Sequence, residues 1–212
     1  MQGVRQRSRM NSASFEVILF DLGGVLVELG ESPLIPEWLP EETGYSLNDW
    51  FKSETAILLE KGLISEHAFI EKFKADLNID VDSNKIRDHF TNWPIGLFSG
   101  VDELLLKLKN NYILAILSNT NELHWPRITR EFNIPCYFDH LFASHLLNMA
   151  KPDLSIFQYV ISELNVKPEK ILFFDDNLMN IDASILLGIN GIHVTGLQET
   201  LKYLVKKGLI NA

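Results

Sequence analysis

The stretch that decides the fold is Val17–Leu26, VILFDLGGVL, near the start of the chain. Four apolar residues, Val17–Phe20, lead directly into the carboxylate of Asp21, and Gly23 and Gly24 follow. A short apolar run of β-branched and aromatic residues is typical of a strand buried on both faces of a parallel sheet. The sequence therefore predicts a buried strand over 15–20 with an acid at its carboxyl end, where open α/β sheets bind ligands.

Further strands and helices alternate after residue 100. Apolar runs predict strands at 112–118, 140–144, 170–176 and 191–195. Helical spacing predicts helices at 101–110, 121–132 with an interruption at Pro126, 153–164 with Pro152 in the first turn, 178–188 closed by Gly188, and 197–207. This alternation indicates an α/β fold, a Rossmann-like three-layer core with a parallel sheet and helices on both faces.

Residues 30–95 interrupt the alternation and contain no convincing strand. They predict three helices: one across 46–62, a second over 65–78 capped by Ser65, and a third over 82–93. Prolines at 33, 36, 40 and 94 suit linkers near the edges of this insert. We expect a core of 15–29 and 96–212, a small all-helical domain at 30–95, and a flexible leader at 1–14.

Composition narrows the functional classes. The chain has 212 residues and a net charge of −9, which argues against general nucleic-acid binding. No window approaches the eighteen consecutive apolar residues of a membrane span. Cys136 is the single cysteine, so an internal disulfide and a multi-cysteine zinc site are excluded, and a reducing, cytoplasmic setting is expected. Composition predicts no oligomeric state.

The first nine residues carry Arg5, Arg7 and Arg9 without an acid. No apolar region long enough for secretion follows them, so a leader or a start at Met10 is favoured over a targeting segment.

Polar residues stand at equivalent ends of three predicted strands. They are Asp21, the run Ser118-Asn119-Thr120 and the run Asp175-Asp176-Asn177, while Lys151 precedes the helix between the second and third. Any one of them is explained equally well as a cap, a turn or a solvated lysine. Together they would supply a nucleophile, an anion binder, a cation and metal ligands at one edge of a sheet.

These four elements resemble the motifs of the haloacid dehalogenase superfamily, which consists mostly of phosphatases. Asp21 in DLGGV, Ser118 in LSNT, Lys151 in AKPD and Asp175-Asp176 in FFDDN match the first to fourth motifs in order. The insert at 30–95 resembles the mobile cap that follows the first motif in one class. FDLGGVLVEL, LSNTN and FFDDN are most similar to a branch that includes a sugar-1-phosphate phosphatase.

The resemblance implies a role for each residue. Asp21 would attack phosphorus to form an aspartyl-phosphate. Mg²⁺ would be bound by Asp21, Asp175 and the backbone carbonyl of Gly23, with Asp176 acting through water or holding Lys151. Ser118 and the amide of Asn119 would bind phosphoryl oxygens. Lys151 would neutralise developing charge on a small phosphorylated metabolite, such as a sugar phosphate.

Gly23 departs from the family pattern. That position usually carries an aspartate whose side chain protonates the leaving alcohol and then activates water. Such help is worth about 10²–10⁴-fold, so its absence favours an anomeric or acyl phosphate with a good leaving group. A substitute acid from the cap or from His124 is an open alternative, and His124 and Trp125 are equally consistent with packing roles.

Two other functions remain open. A metal-independent 2-haloacid dehalogenase would also lack the second aspartate, but Asp175 and Asp176 would repel its anionic substrate. A catalytically weak protein that retains the pocket would serve as a binding or regulatory module. A phosphomutase is disfavoured because its phosphate relay depends on the missing side chain.

Overall fold

The structure is a computed structural model, and it describes residues 15–33, 35–39 and 47–211. The predicted leader and Pro40 lie outside these residues. The strands are β1 (Val17–Phe20), β2 (Val27–Leu29), β3 (Pro94–Leu97), β4 (Ile113–Ser118), β5 (His140–Ala143), β6 (Ile171–Asp175) and β7 (Asn190–His193). The helices are α1 (Leu47–Lys52), α2 (Glu54–Glu60), α3 (Glu66–Leu77), α4 (Ser83–Asn92), α5 (Val101–Lys109), α6 (Ser144–Leu147), α7 (Leu154–Leu164), α8 (Leu178–Leu186) and α9 (Gly196–Lys206).

Five strands form one parallel sheet in the order β5-β4-β1-β6-β7. β1 is central, and Phe20 lies opposite Ile116 of β4 and Phe174 of β6. All four residues of β1 are buried, as the apolar run predicts. The register places the carboxyl ends of β1, β4 and β6 side by side.

Helices cover both faces of this sheet, which confirms the predicted three-layer core. On one face α5 and α9 bury Leu104, Leu108 and Leu204 against the sheet. On the other face α7 and α8 bury Phe157, Val160 and Ile181. Two apolar clusters therefore fix the sheet from opposite sides, and its strand ends are held in place by packing.

Helices α1–α4, residues 47–92, form a four-helix unit around a third apolar cluster, to which Leu123 also contributes. Trp50 contacts the edges of Phe69, Phe73 and Phe90, at ring-centroid distances of 5.9, 5.2 and 5.6 Å. Phe69, Ile70, Phe73 and Leu77 are buried, and the hydroxyl of Ser65 accepts a hydrogen bond from the N–H of Ala68, as the sequence predicts.

The insert differs from expectation at two points. The predicted single helix across 46–62 is two helices, because the hydroxyl of Ser53 accepts a hydrogen bond from Ala56 N–H and begins a new helix at Glu54. The expectation of no strand up to 95 is also wrong, since Pro94 and Ile95 begin β3, which pairs antiparallel with β2. This two-stranded ribbon connects the core to the four-helix unit.

Two prolines occupy positions other than those predicted. Pro126 does not interrupt its helix, because Trp125 N–H bonds to the Asn121 carbonyl before it and Ile128 N–H bonds to the His124 carbonyl after it. A π-helical turn, Arg127–Glu131, follows Pro126. Pro152 lies before the helix rather than in its first turn, since α7 begins at Leu154. No helix in the described part of the chain combines the length and the apolarity needed to cross a bilayer.

Candidate active site

The residues that the sequence singled out gather at the carboxyl edge of the sheet. A cavity of about 890 Å³ opens there. Its walls include all but one of the predicted site residues: Asp21, Gly23, Ser118, Asn119, Lys151 and Asp176. The exception is Asp175, which is fully buried beneath the cavity.

Lys151 lies between two of the acids. Its Nζ is 3.0 Å from Asp21 Oδ1 and 2.6 Å from Asp175 Oδ2, and its side chain is almost fully buried. Burial alone would lower the pKa of Lys151, but Asp175 and Asp21 hold that pKa above its usual value. The ammonium therefore stays charged, and the alternative that Asp176 holds Lys151 is wrong because Asp21 and Asp175 do so.

Asp175 is fixed by groups of the following turn and helix. Its Oδ1 accepts hydrogen bonds from the N–H of Asn177 at 2.8 Å and from Nδ2 of Asn180 at 3.0 Å. Sequence reasoning missed Asn180. The available signal was its place in the first turn of α8, directly after the strand that carries the acid pair.

Three carboxylates share this corner of the site. Asp21, Asp175 and Asp176 each offer an oxygen, and these oxygens lie within 4.8 Å of one another. Burial raises the pKa of Asp21 to about 7 although Lys151 opposes the shift. Desolvation and the neighbouring Asp175 also raise the pKa of Asp176. Three acids beside one ammonium carry surplus negative charge, and hard oxygen donors fit a divalent ion such as Mg²⁺.

Gly24 permits the close approach of Asp176. Its φ is +69°, and a Cβ there would lie 2.2 Å from Asp176 Oδ2. Glycine therefore suits the left-handed backbone, and any larger residue would displace the Asp176 carboxylate. Gly23 is less constrained, because an added Cβ would meet only the tip of Leu29, at 3.1 Å.

Asn119 connects the end of β4 to Lys151. Its Oδ1 accepts a hydrogen bond from the Lys151 N–H, and its Nδ2 donates to the Lys151 carbonyl, both at 2.9 Å. Nδ2 also donates to Glu60 Oε2 at 3.1 Å. Both side-chain donors of Asn119 are thus engaged by protein groups, and the side chain positions the lysine segment.

The four-helix unit also reaches the cavity. Lys52, Ile57, Glu60 and Lys61 line it from α1, α2 and the residue after α2. The Glu60 carbonyl accepts a hydrogen bond from Ser144 Oγ at 2.6 Å, and Lys61 Nζ pairs with Asp153 at 2.7 Å. The end of α2 is therefore attached to the core beside Asn119.

His124 lines the same cavity and is buried. Burial lowers its pKa to about 4, so the ring is neutral at physiological pH. Its Nδ1 lies 3.2 Å from Asn121 Nδ2, and its ring packs 5.8 Å from that of Trp93. Trp125 packs against His145 instead.

Comparisons with known proteins agree with this geometry. The family model for haloacid dehalogenase-like hydrolases matches residues 15–188. The chain is 28% identical to a D-ribitol-5-phosphate phosphatase of Bacteroides thetaiotaomicron, over 81% of this chain and 87% of that protein. It is 26% identical to a sesquiterpene phosphatase of Aspergillus oryzae, over 86% and 91% of the two chains.

Solved structures show the same fold. A haloacid dehalogenase family enzyme from Bacteroides thetaiotaomicron, in complex with magnesium and inorganic phosphate, superposes with a TM-score of 0.71. It is 27% identical, and the match covers 85% of this chain and 94% of that one. Dehalogenases also match, but at 17% to 20% identity, which shows the fold alone.

Proposed function

The chain belongs to the haloacid dehalogenase-like hydrolase family and is an enzyme, and we propose that it hydrolyses phosphomonoesters of a small phosphorylated metabolite with Mg²⁺ as cofactor. The observation that carries the proposal is a cavity lined by Asp21, Ser118, Lys151 and Asp176, with the buried Asp175 in the same carboxylate cluster. That set contains a nucleophile, an anion-binding hydroxyl, a buried cation and oxygen ligands.

Asp21 is the proposed nucleophile. It would form an aspartyl-phosphate, which water then cleaves. A carboxylate and a phosphate oxygen repel each other by roughly 4 kcal/mol at 4 Å and an effective dielectric constant of 20. Lys151, at 3.0 Å from Asp21, offsets part of this repulsion and meets the charge that develops on the phosphoryl group.

Asp21, Asp176 and the backbone carbonyl of Gly23, which line the cavity, would hold the metal. Asp175 would instead hold Lys151, because its two oxygens accept hydrogen bonds from Lys151, Asn177 and Asn180. A bound Mg²⁺ supplies positive charge that stabilises phosphoryl oxygens during transfer. Ser118 Oγ would donate to one phosphoryl oxygen. Since the side chain of Asn119 is engaged by Lys151 and Glu60, its backbone N–H is the donor we assign to the phosphoryl group.

Helices α1–α4 are proposed to act as the cap over this site, with the core formed by 15–29 and 96–212. A cap that encloses the cavity would exclude bulk water and select the substrate. The two phosphatase relatives differ in the alcohol that their names give, so the proposal is for the phosphomonoester class, with a sugar phosphate as the first substrate to test.

The acid pair argues against a metal-independent haloacid dehalogenase. Asp175 and Asp176 lie with Asp21 in one cluster, and without a cation they would repel an anionic haloacid.

The test is hydrolysis of a panel of phosphate esters by the wild type and by Asp21→Asn, with Mg²⁺ and with a chelator. We expect turnover that needs Mg²⁺ and is lost in the variant. The exposed Asp182 of α8 gives the matched control, Asp182→Asn, which should retain activity. Persistent activity in Asp21→Asn would overturn the assignment. Tight phosphate binding without turnover on any ester would favour a binding or regulatory protein.

A further inference from the structure

The proposed reaction lacks a proton donor at its usual place. Gly23 has no side chain, and a poor leaving group needs a proton as its bond to phosphorus breaks. The group required is a carboxyl or imidazole on the cavity wall that titrates near neutral pH. Among the described residues that line the cavity, the carboxylates and histidines other than Asp21 are Glu60, His124, Asp153, Asp176 and His193.

Four of these groups suit the task poorly. His124 is neutral because burial lowers its pKa to about 4. Asp153 is exposed and pairs with Lys61. Asp176 belongs to the acid cluster, and His193 is exposed with its Nε2 2.9 Å from the Asp176 carbonyl. None of the four combines an enclosed position with a proton available at neutral pH.

Glu60 has both properties: it lines the cavity, and its carboxyl holds a proton near neutral pH. Its backbone is fixed by Ser144, whose Oγ donates to the Glu60 carbonyl at 2.6 Å. Its carboxyl is fixed by Asn119, whose Nδ2 lies 3.1 Å from Oε2. Asn119 directly follows Ser118 and hydrogen-bonds to the backbone of Lys151. One hydrogen bond to Asn119 therefore links the Glu60 carboxyl to the backbone that carries Ser118 and Lys151.

Burial also gives Glu60 a suitable acidity. Burial raises its pKa to about 7, while Lys151 and the hydrogen bond from Asn119 oppose that shift. A general acid works best when its pKa is near the working pH, since it then holds a proton and also releases it. Other titratable groups on the surrounding elements are Asp21, Lys52, Lys61, His124, His145 and Asp153.

We propose that Glu60, at the end of α2, is the catalytic acid and base that replaces the side chain absent at Gly23. This inference rests on the proposed phosphatase function. As Asp21 bonds to phosphorus, the bond from phosphorus to the alcohol oxygen breaks, and that oxygen takes the proton from Glu60. The Glu60 carboxylate then removes a proton from water as the water oxygen attacks phosphorus. The bond between phosphorus and Asp21 breaks in this step, its electron pair returns to the Asp21 carboxylate, phosphate leaves, and Glu60 is protonated again.

This assignment widens the expected substrates. Without a general acid, an ester with a good leaving group is favoured. With Glu60 as the donor, ordinary alkyl phosphates also become substrates, because the alcohol departs in neutral form.

The test compares Glu60→Gln with the wild type on para-nitrophenyl phosphate, phenyl phosphate and glycerol phosphate, whose leaving groups become progressively poorer. We measure kcat/KM, which reports the steps up to release of the alcohol. We expect a loss of about 10²–10⁴-fold on glycerol phosphate and little loss on para-nitrophenyl phosphate. Glu54→Gln, at the exposed start of the same helix, is the matched control and should behave as the wild type.

Two further readouts separate proton transfer from a purely structural role. In the wild type, the pH profile of kcat/KM for glycerol phosphate should have a falling limb above about 7, since Glu60 must be protonated, and this limb should be absent in Glu60→Gln. Adding Gly23→Asp to Glu60→Gln should restore part of the lost activity, because φ at Gly23 lies outside the left-handed region and a small shift of the Leu29 side-chain tip would admit a Cβ.

The outcomes are distinct. An equal loss on all three esters, or an unchanged leaving-group dependence, would overturn the role of Glu60 and leave the phosphatase proposal intact. A wild type that hydrolyses none of the esters would overturn both. Retained activity on para-nitrophenyl phosphate shows that the variant is folded.

Discussion

The carboxyl edge of the parallel sheet and the four-helix unit supply the same cavity with different kinds of group. The sheet edge holds its charges in contact, as in the pairs of Lys151 with Asp21 and Asp175. The unit contributes Glu60, which has an amide partner and an elevated pKa but no ion pair among the described residues. The charged groups of the site are therefore concentrated at the sheet edge, and the proposed general acid comes from the helices.

The largest effect on stability is expected at the sheet edge, from Lys151→Met. Removing the ammonium leaves the buried Asp175 and Asp21 without their cation, which typically costs about 3–5 kcal/mol. Urea unfolding of the wild type and the variant measures this difference. Lys107→Met, at an exposed position on α5, controls for the loss of a lysine, and a change below about 1 kcal/mol in Lys151→Met would contradict the account.

A smaller effect is expected from Glu60, and it depends on pH. Its folded pKa, about 7, lies above the ordinary glutamate pKa of 4.5, so the folded state holds the proton more tightly. Its contribution to stability is therefore full below about 4.5 and declines as pH rises to about 7, by about 1–3 kcal/mol. Urea unfolding at both ends of this range should show a smaller decline in Glu60→Gln than in the wild type. Asp21 titrates in both proteins and cancels in the comparison.

If the two proteins lose stability equally over this range, Glu60 does not carry a raised pKa. Another residue would then have to serve as the general acid.

The smallest effect on stability is expected at the ion pair that joins the four-helix unit to the core. Lys61 pairs with Asp153 at 2.7 Å, but Asp153 is about half exposed, so Lys61→Met should cost about 0–1 kcal/mol and less at high salt. The hydrogen bonds from Ser144 to Glu60 and from Asn148 to Lys61 use backbone carbonyls and survive the change. A loss well above this range would mean that the ion pair, rather than these bonds, attaches the unit.

The residues at the carboxyl edge of the sheet could be predicted from the sequence because local residue patterns show where a strand ends. An apolar run predicts a buried strand, and the next polar residue, such as Asp21 or Ser118, must lie at its end. Parallel strands bring such ends together without further information. The same reasoning predicted that Asp175 and Lys151 would join them. The register of β1, β4 and β6 places Asp175 there, and the ion pairs of Lys151 with Asp21 and Asp175 place the lysine there.

The part of the four-helix unit that enters the cavity could not be predicted from the sequence, because it depends on tertiary contacts. Glu60 ends a short helix, and nothing in the local pattern states that it meets Asn119, 59 residues away in the chain. The break at Ser53 was hidden by apolar spacing that continues across it. β3 was missed because Pro94 and Gly96 are poor strand residues, and the strand exists through its pairing with β2.

The most direct test of the central claim is to find where the phosphoryl group is attached during turnover. The enzyme is mixed with a phosphate ester and Mg²⁺, quenched in acid and digested, and the peptide that contains Asp21 is analysed by mass spectrometry. The account predicts one added phosphoryl group on Asp21 in the wild type. With para-nitrophenyl phosphate, whose first step needs little help from an acid, it also predicts more of this species in Glu60→Gln, because removal of the base slows the second step. A phosphoryl group on another residue, or turnover without a phosphorylated enzyme, would contradict it.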